Sequence, residues 1–122
     1  MAKRILIIDD EKPIRDSFLL AMEETEFQVE TAFSGEEGIE KFKSGNYDLI
    51  FLDLKMPGMN GAETLRVIRK MSPVVPVYIV TAFAQEYFQE LKALTRENIT
   101  FELMRKPLGL DQIDMLVRTV LQ

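Results

Sequence analysis

Short runs of consecutive apolar residues alternate along this chain with longer stretches in which apolar residues recur every third or fourth position. Ile5-Leu6-Ile7-Ile8 is apolar throughout and rich in β-branched residues, the pattern of a strand covered on both faces within a parallel sheet, and it ends in Asp9-Asp10-Glu11. Pro13 suits the first turn of a helix, and Ile14, Phe18, Ala21, Met22 and Thr25 carry its helical spacing. Phe27 to Phe33 reads as a second, more polar strand at a sheet edge. Ser34-Gly35-Glu36-Glu37 matches a capping box opening a helix with Ile39 and Phe42 on its apolar side, and Gly45-Asn46 closes it. Tyr47 to Asp53 is a third strand, containing the apolar run Leu49-Ile50-Phe51-Leu52. Leu65, Ile68 and Met71 mark a third helix that Ser72-Pro73 terminates. Pro76 to Val80 is a fourth strand ending in Thr81-Ala82, and Ala84, Tyr87, Phe88, Leu91 and Leu94 describe a fourth helix. Ile99 to Met104 is a fifth strand leading into Arg105-Lys106-Pro107, and Ile113, Leu116, Val117, Val120 and Leu121 mark the last helix.

The pattern predicts five β-α units without repeats, linkers or biased segments. An eight-unit closed barrel needs about twice this length, so the expected class is α/β with an open, doubly wound parallel sheet. In such sheets the site lies beyond the carboxyl ends of the strands, where strand order reverses.

Composition narrows the chemistry. The 122 residues fit one domain, 1–122, with 47% hydrophobic and 29% charged residues. A net charge of -5 with no basic patch evident in the sequence argues against direct binding of nucleic acid or an anionic membrane. There is no cysteine and no histidine, which excludes thiol nucleophiles, disulfides, imidazole bases and zinc held by His or Cys. Met1-Ala2-Lys3-Arg4 precedes only four apolar residues, so it reads as neither signal peptide nor membrane span, and a cytoplasmic location is expected.

Candidate residues follow from what stands after each inner strand: Asp9 and Asp10 after the first, Asp53 after the third, Thr81 after the fourth and Lys106 after the fifth. Each alone has an ordinary explanation as a cap, a turn opener or a solvated charge. Together they converge on one sheet edge. Two carboxylates about 5 Å apart repel by roughly 3 kcal/mol at an effective dielectric near 20, and here there are three, so a neutralising partner is needed. With oxygen ligands only, Mg2+ is the natural choice, and Lys106 adds an ammonium. A hard cation, an ammonium and a hydroxyl around one carboxylate suit phosphoryl transfer with Asp53 as nucleophile.

At this point the chain resembles the receiver domains of two-component response regulators, single-domain chemotaxis regulators included. The resemblance rests on the acidic pair 9–10, Asp-x-x-Met-Pro-x-x-x-Gly at 53–61, Thr81-Ala82 and Lys106-Pro107, and it covers the whole chain. It implies a flavodoxin-like sheet of order 2-1-3-4-5. Asp53 would accept a phosphoryl group from a phosphohistidine on a sensor histidine kinase or histidine phosphotransfer protein. Asp10, Asp53 and the carbonyl of Lys55 would ligate Mg2+, and Asp9 would hold it largely through water. Thr81 and Lys106 would grip the phosphoryl oxygens, the Lys106-Pro107 bond would be cis, and Gly61 would permit the backbone conformation closing the loop. Kinase contact is expected near Ile14 and at Pro107-Leu108. The face of the fourth helix, fifth strand and fifth helix would serve a downstream effector or a phosphorylation-dependent homodimer. Such a chain modifies itself and is not a classified enzyme.

Departures from the resemblance carry expectations of their own. Leu103 stands where an aromatic switch residue is usual, so output should lean on Thr81 and on movement of the 84–96 helix. Thr95 to Ile99 lacks the usual Gly-Ala, and the fourth helix should end on Asn98. Lys55 and Phe83 sit where hydrolysis is tuned and predict a long-lived phosphate. A haloacid-dehalogenase-type phosphatase would need a second aspartate where Lys55 stands, and a pseudo-receiver would not need the intact site set. Whether the chain is a stand-alone regulator, a relay intermediate or part of a larger regulator is not readable from it.

Overall fold

The apolar runs become five parallel strands, β1 (Arg4–Ile8), β2 (Gln28–Ala32), β3 (Leu49–Leu52), β4 (Val77–Thr81) and β5 (Glu102–Arg105), in a computed structural model that describes residues 2–122. They alternate with α1 (Lys12–Met22), α2 (Gly35–Ser44), α3 (Gly61–Met71), α4 (Phe88–Arg96) and α5 (Leu110–Leu121). Strand order is β2-β1-β3-β4-β5, the flavodoxin-like arrangement expected, with β2 at one edge.

Alternation along the central strands divides the core into two layers. Leu6, Ile8, Ile50 and Leu52 face Leu65, Ile68, Leu91 and Leu94 of α3 and α4. Ile5, Ile7, Leu49 and Phe51 face Phe18 and Met22 of α1 and Ile113 and Val117 of α5. Burial on both faces explains why β1 and β3 carry no polar residue at these positions, since each such side chain contributes roughly 1.5–3 kcal/mol when fully removed from water.

Register then sets the site. Ile8 pairs with Leu52, so Asp9 and Asp53 leave the sheet abreast, and Thr81 pairs with Arg105, which delivers Lys106 one residue later. The ladder continues past the strands through Asp53 N–H to Ile8 O (2.9 Å) and Lys106 N–H to Thr81 O (3.0 Å).

Several expected boundaries move, each because a local hydrogen bond outcompetes the periodic pattern. Helix α4 begins at Phe88 rather than Ala84. The Thr81 hydroxyl accepts the Phe83 N–H (3.0 Å), and residues 84–87 wind as turns closed by Tyr87 N–H to Phe83 O (3.2 Å). Phe88 and Met71, counted on apolar faces, are 55% and 39% exposed. Strand β5 begins at Glu102 rather than Ile99, because the Ile99 N–H closes the end of α4 on Leu94 O and Thr100 O accepts Arg69. At α2, Ser34 caps the Glu37 N–H as expected, but the Glu37 carboxylate takes the N–H of Phe33 instead of that of Ser34. The complete reciprocal cap, unread in the sequence, is Asn60 with Glu63 at α3. Among the described residues no helix is long and apolar enough to cross a membrane.

Helix α4, whose last residue is Arg96, is closed by Asn98, the residue expected to end it. Its φ of 62° is left-handed, and the bonds Asn98 N–H to Thr95 O (3.1 Å) and Ile99 N–H to Leu94 O (3.0 Å) form a Schellman closure. Asn98→Ala is therefore expected to cost about 1 kcal/mol, because alanine gains nothing in the left-handed region, whereas Asn98→Gly should lose nothing. Urea unfolding midpoints of the two variants check this; equal midpoints would remove the conformational explanation.

Candidate functional site

Three strand ends supply a buried charge cluster. Asp53 is 2% exposed; its Oδ1 accepts the Leu54 N–H (2.9 Å) and its Oδ2 lies 3.4 Å from the Lys106 ammonium. Asp9, equally enclosed, accepts the Glu11 N–H on Oδ1 (2.9 Å) and pairs through Oδ2 with Lys106 at 2.8 Å. Lys106 also reaches Glu11 at 3.3 Å, so one largely buried ammonium is shared among three carboxylates. The Asp9 backbone carbonyl is held by Arg15 (2.8 Å), which pins the turn into α1.

The electrostatics follow from that imbalance. Burial, reinforced by the charge of Asp9 and only partly offset by Lys106, pushes Asp53 from 3.8 up to about 6. Burial likewise raises Asp9 above the ordinary carboxylate range despite its bond to Lys106. Burial acts to lower Lys106, but its hydrogen bond to Asp9 and the charges of Asp53 and Asp9 outweigh this, and its affinity for the proton rises.

Asp9, Asp10, Glu11 and Asp53 each offer a carboxylate oxygen within 4.8 Å of the others. An all-oxygen donor set with one ammonium against four carboxylates leaves negative charge that a hard divalent cation would neutralise, so the residues present fit Mg2+. Thr81 is fully buried and, with Lys106 and Arg105, lines an adjoining cavity of about 410 Å3. Its hydroxyl accepts from Phe83 and keeps its own O–H available to donate.

Of the residues singled out in the sequence, Asp9, Asp10, Asp53 and Lys106 thus meet, and Thr81 borders them. The Lys55 side chain does not join them. Its ammonium lies 3.6 Å from Glu86 and 4.4 Å from the centre of the Phe83 ring, tying the loop after β3 to the loop after β4. Gly61 has ordinary backbone angles, contrary to expectation. It must be glycine because a Cβ there would overlap the carbonyl oxygen of Asp53, while the left-handed residue of the loop is Gly58 (φ 76°). The Lys106-Pro107 bond is cis, as expected. Leu103 is 43% exposed on β5.

Sequence reasoning missed Glu11, Arg15 and Tyr87. Adjacency to the acidic pair is the signal that could have found Glu11. Nothing in the spacing marks Arg15, whose side chain folds back six residues. Tyr87, half-buried against the α3–α4 layer, has its hydroxyl pKa raised by burial and by the charges of Glu86, Glu90 and Asp53.

Comparison with known proteins agrees with this geometry. The response regulator receiver domain matches residues 5–118. The response regulator ArlR of Staphylococcus saprophyticus is 38% identical over 84 residues, 69% of this chain and 38% of that protein; the chain thus spans well under half the length of this curated relative. A CheY-like receiver domain protein of Methanospirillum hungatei superimposes with a TM-score of 0.86 at 27% identity, covering 98% of this chain and 93% of that one. TrrA of Thermotoga maritima, solved in complex with Mg2+ and BeF, superimposes at 0.81 with 35% identity over 98% and 99% of the two chains.

With magnesium withheld, the raised Asp53 pKa makes stability pH-dependent. Between about pH 4 and pH 6 the folded chain holds a proton that the unfolded chain has released, so stability falls as pH rises through this window, by up to about 3 kcal/mol in total. Asp53→Asn should stabilise the metal-free protein at pH 8 and flatten that slope, with a residue of it left by Asp9. Urea titrations across the pH range in chelator check this, and parallel slopes for parent and variant would contradict it.

Proposed function

We propose that this chain, which belongs to the response regulator receiver domain family of two-component signalling, accepts a phosphoryl group on Asp53 from a phosphohistidine and thereby switches a partner. The observation that carries this reading is the state of Asp53: a buried carboxylate with one oxygen fixed by Leu54, the other facing Lys106, beside an acidic cluster with too little positive charge. Residues 1–122 act as one receiver domain.

Asp10, Asp53 and the carbonyl of Lys55 would hold Mg2+, with Asp9 reaching it through water. When bound, the ion neutralises the carboxylates and the oxygens of the incoming group. An Asp53 carboxylate oxygen attacks phosphorus while the phosphorus–nitrogen bond of the donor breaks and its electron pair returns to the imidazole. Lys106 releases part of its hold on Asp9 and Asp53 to meet the phosphoryl oxygens, and the free O–H of Thr81 donates to another. No general base is required, since the nucleophile attacks as the carboxylate; the raised pKa of the metal-free site falls once cations crowd it. The chain is consumed stoichiometrically and is not a turnover enzyme. A phosphatase of the dehalogenase type lacks support, because Lys55 stands where its second aspartate belongs.

The donor is a sensor histidine kinase or histidine phosphotransfer protein, met near Ile14 of α1 and at Pro107-Leu108, in the cytoplasm. The face formed by α4, β5 and α5 carries the output to an effector or to a second phosphorylated copy. With Leu103 short and half-open to solvent, the Thr81 hydroxyl, its Phe83 partner and the α4 segment beginning at Phe88 are the parts that move.

Acetyl phosphate with Mg2+ should add one phosphoryl group to the parent and none to Asp53→Asn by intact mass; no gain in the parent would sink the reading. The Lys55–Phe83 contact, braced by Glu86, joins the loops that follow Asp53 and Thr81, and on this reading it hinders the approach of water to the acyl phosphate. Lys55→Ala/Phe83→Ala is therefore expected to shorten the lifetime of the phosphorylated form several-fold in a decay assay, and an unchanged lifetime would assign the contact no role.

A further inference from the structure

The hydrogen bond from the Arg15 guanidinium to the carbonyl of Asp9 (2.8 Å) reaches back from α1 to the end of β1. Among the described residues no backbone N–H donates to that carbonyl, and Pro13, on the first turn of α1, has no N–H to give. Asp9 is 3% exposed, so its carbonyl needs a partner within the protein, and the guanidinium is that partner. Arg15 is itself half-buried and, among the described residues, pairs with no carboxylate. The dipole of α1 disfavours a cation so near its amino end, and the local energetics of the helix therefore do not account for an arginine here.

The bonded carbonyl belongs to the peptide that joins Asp9 to Asp10. That peptide is planar, so holding its oxygen sets the direction in which the backbone enters Asp10. The Asp9 side chain has holds of its own, with Lys106 on Oδ2 (2.8 Å) and the Glu11 N–H on Oδ1 (2.9 Å). The Asp10 side chain has none: among the described residues its carboxylate enters no ion pair and accepts no hydrogen bond. It nevertheless offers an oxygen within 4.8 Å of those of Asp9, Glu11 and Asp53. Its placement comes from the backbone, at the peptide that Arg15 holds.

We infer that Arg15 is a positioning residue for magnesium: by fixing the peptide between Asp9 and Asp10 it sets the Asp10 carboxylate where a hard cation can be ligated, without touching the cation itself. The inference rests on the reading of this chain as a Mg2+-dependent phosphoacceptor and adds a residue that tunes the affinity for the ion. Two other roles for Arg15 would leave different traces. As a bare charge it would repel the ion, and its removal would tighten Mg2+ binding. As a clasp for the helix alone it would affect stability and leave Mg2+ affinity where it was. Groups that orient metal ligands from behind are commonly worth about 10- to 100-fold in affinity, so sign and size together separate the three roles.

The test measures Mg2+ dissociation constants of the full chain from amide spectra, without phosphodonor, for the parent, Arg15→Met, Arg15→Lys and Lys12→Met. Methionine and lysine are both good helix formers, and urea unfolding in chelator verifies that each variant is folded. Arg15→Met should weaken Mg2+ binding about tenfold. Arg15→Lys keeps a donor for the carbonyl and should recover part of that loss while still binding more weakly than the parent. Lys12 lies earlier on the same helix and pairs with Asp16 (2.8 Å), so Lys12→Met removes a charge and leaves Asp9 untouched. Mg2+ should bind that variant as tightly as the parent or tighter. With acetyl phosphate, the half-saturating Mg2+ concentration of Arg15→Met should rise by a similar factor, while the rate at saturating Mg2+ falls by less than about twofold. Unchanged or tighter Mg2+ binding in Arg15→Met, a lysine variant no better than the methionine one, or equal weakening in Lys12→Met would overturn the inference. Phosphoryl uptake on the same samples separates the two readings. A chain whose Mg2+ affinity depends on Arg15 but which takes up no phosphoryl group keeps the positioning role and loses the phosphoacceptor role; one that is phosphorylated with an Mg2+ affinity indifferent to Arg15 loses the positioning role alone.

Discussion

The ammonium of Lys106, enclosed with Asp9 and Asp53 and reached from the surface by Glu11, is the contact on which the rest of the structure depends. A single positive charge cannot satisfy three carboxylates, and burial makes the shortfall costly, which is why Asp53 moves up to about 6 and Asp9 rises with it. The fold tolerates this because the backbone leaves no alternative. Ile8 and Leu52 pair across β1 and β3, and the next residue on each strand must be a neighbour of the other. The price is met by two fully buried apolar layers behind the site. A site held short of positive charge by a rigid sheet is poised to take up cations and then an anion that brings its own demand for them.

What surrounds the cluster divides into fixed and adjustable parts. On the fixed side, Arg15 pins the Asp9 carbonyl, Leu54 N–H orients Asp53, and the absent side chain of Gly61 lets α3 start directly against the Asp53 backbone. On the adjustable side, the turns at 84–87 reach the core through Tyr87, and the loops after β3 and β4 meet through the half-exposed Lys55, Glu86 and Phe83. An exposed pair of that kind is worth a few tenths of a kcal/mol to about 1 kcal/mol, small enough to be remade when the charge on Asp53 changes. The segment that adjoins the site is therefore also the segment that leads into α4.

The legible and illegible parts of this protein separate by the range of the forces involved. The apolar runs of β1 and β3 and the helical spacing of α1 and α5 announced themselves because burial on two faces, or on one stripe, leaves its period in the residues. Asp9, Asp10, Asp53 and Lys106 were visible as site candidates because a strand end is a place the sequence can mark. The start of α4 and the start of β5 were misjudged because a hydroxyl on Thr81, a left-handed Asn98 and a guanidinium from Arg69 each redirected backbone groups that periodicity assumes are free. Arg15, Tyr87 and the true reason for Gly61 depend on through-space contacts that have no signature in spacing. The sheet order itself came from resemblance rather than from the pattern, since any permutation of five apolar strands would show the same runs.

The same distinction bears on how a charge on Asp53 reaches the surface. A rotating ring at position 103 would have linked the site to β5 directly, but Leu103 is short and 43% exposed, so its movement can displace little. Tyr87 is half-buried, and its N–H closes the turn that begins at the hydroxyl-bonded Phe83. If Thr81 turns its hydroxyl toward a phosphoryl group, the Phe83 N–H loses its acceptor, and the turn carrying Tyr87 and Phe88 must find new partners. The Thr81 hydroxyl thus ties the end of β4 to the backbone that leads into α4, whereas Leu103 offers no ring to make such a link from β5.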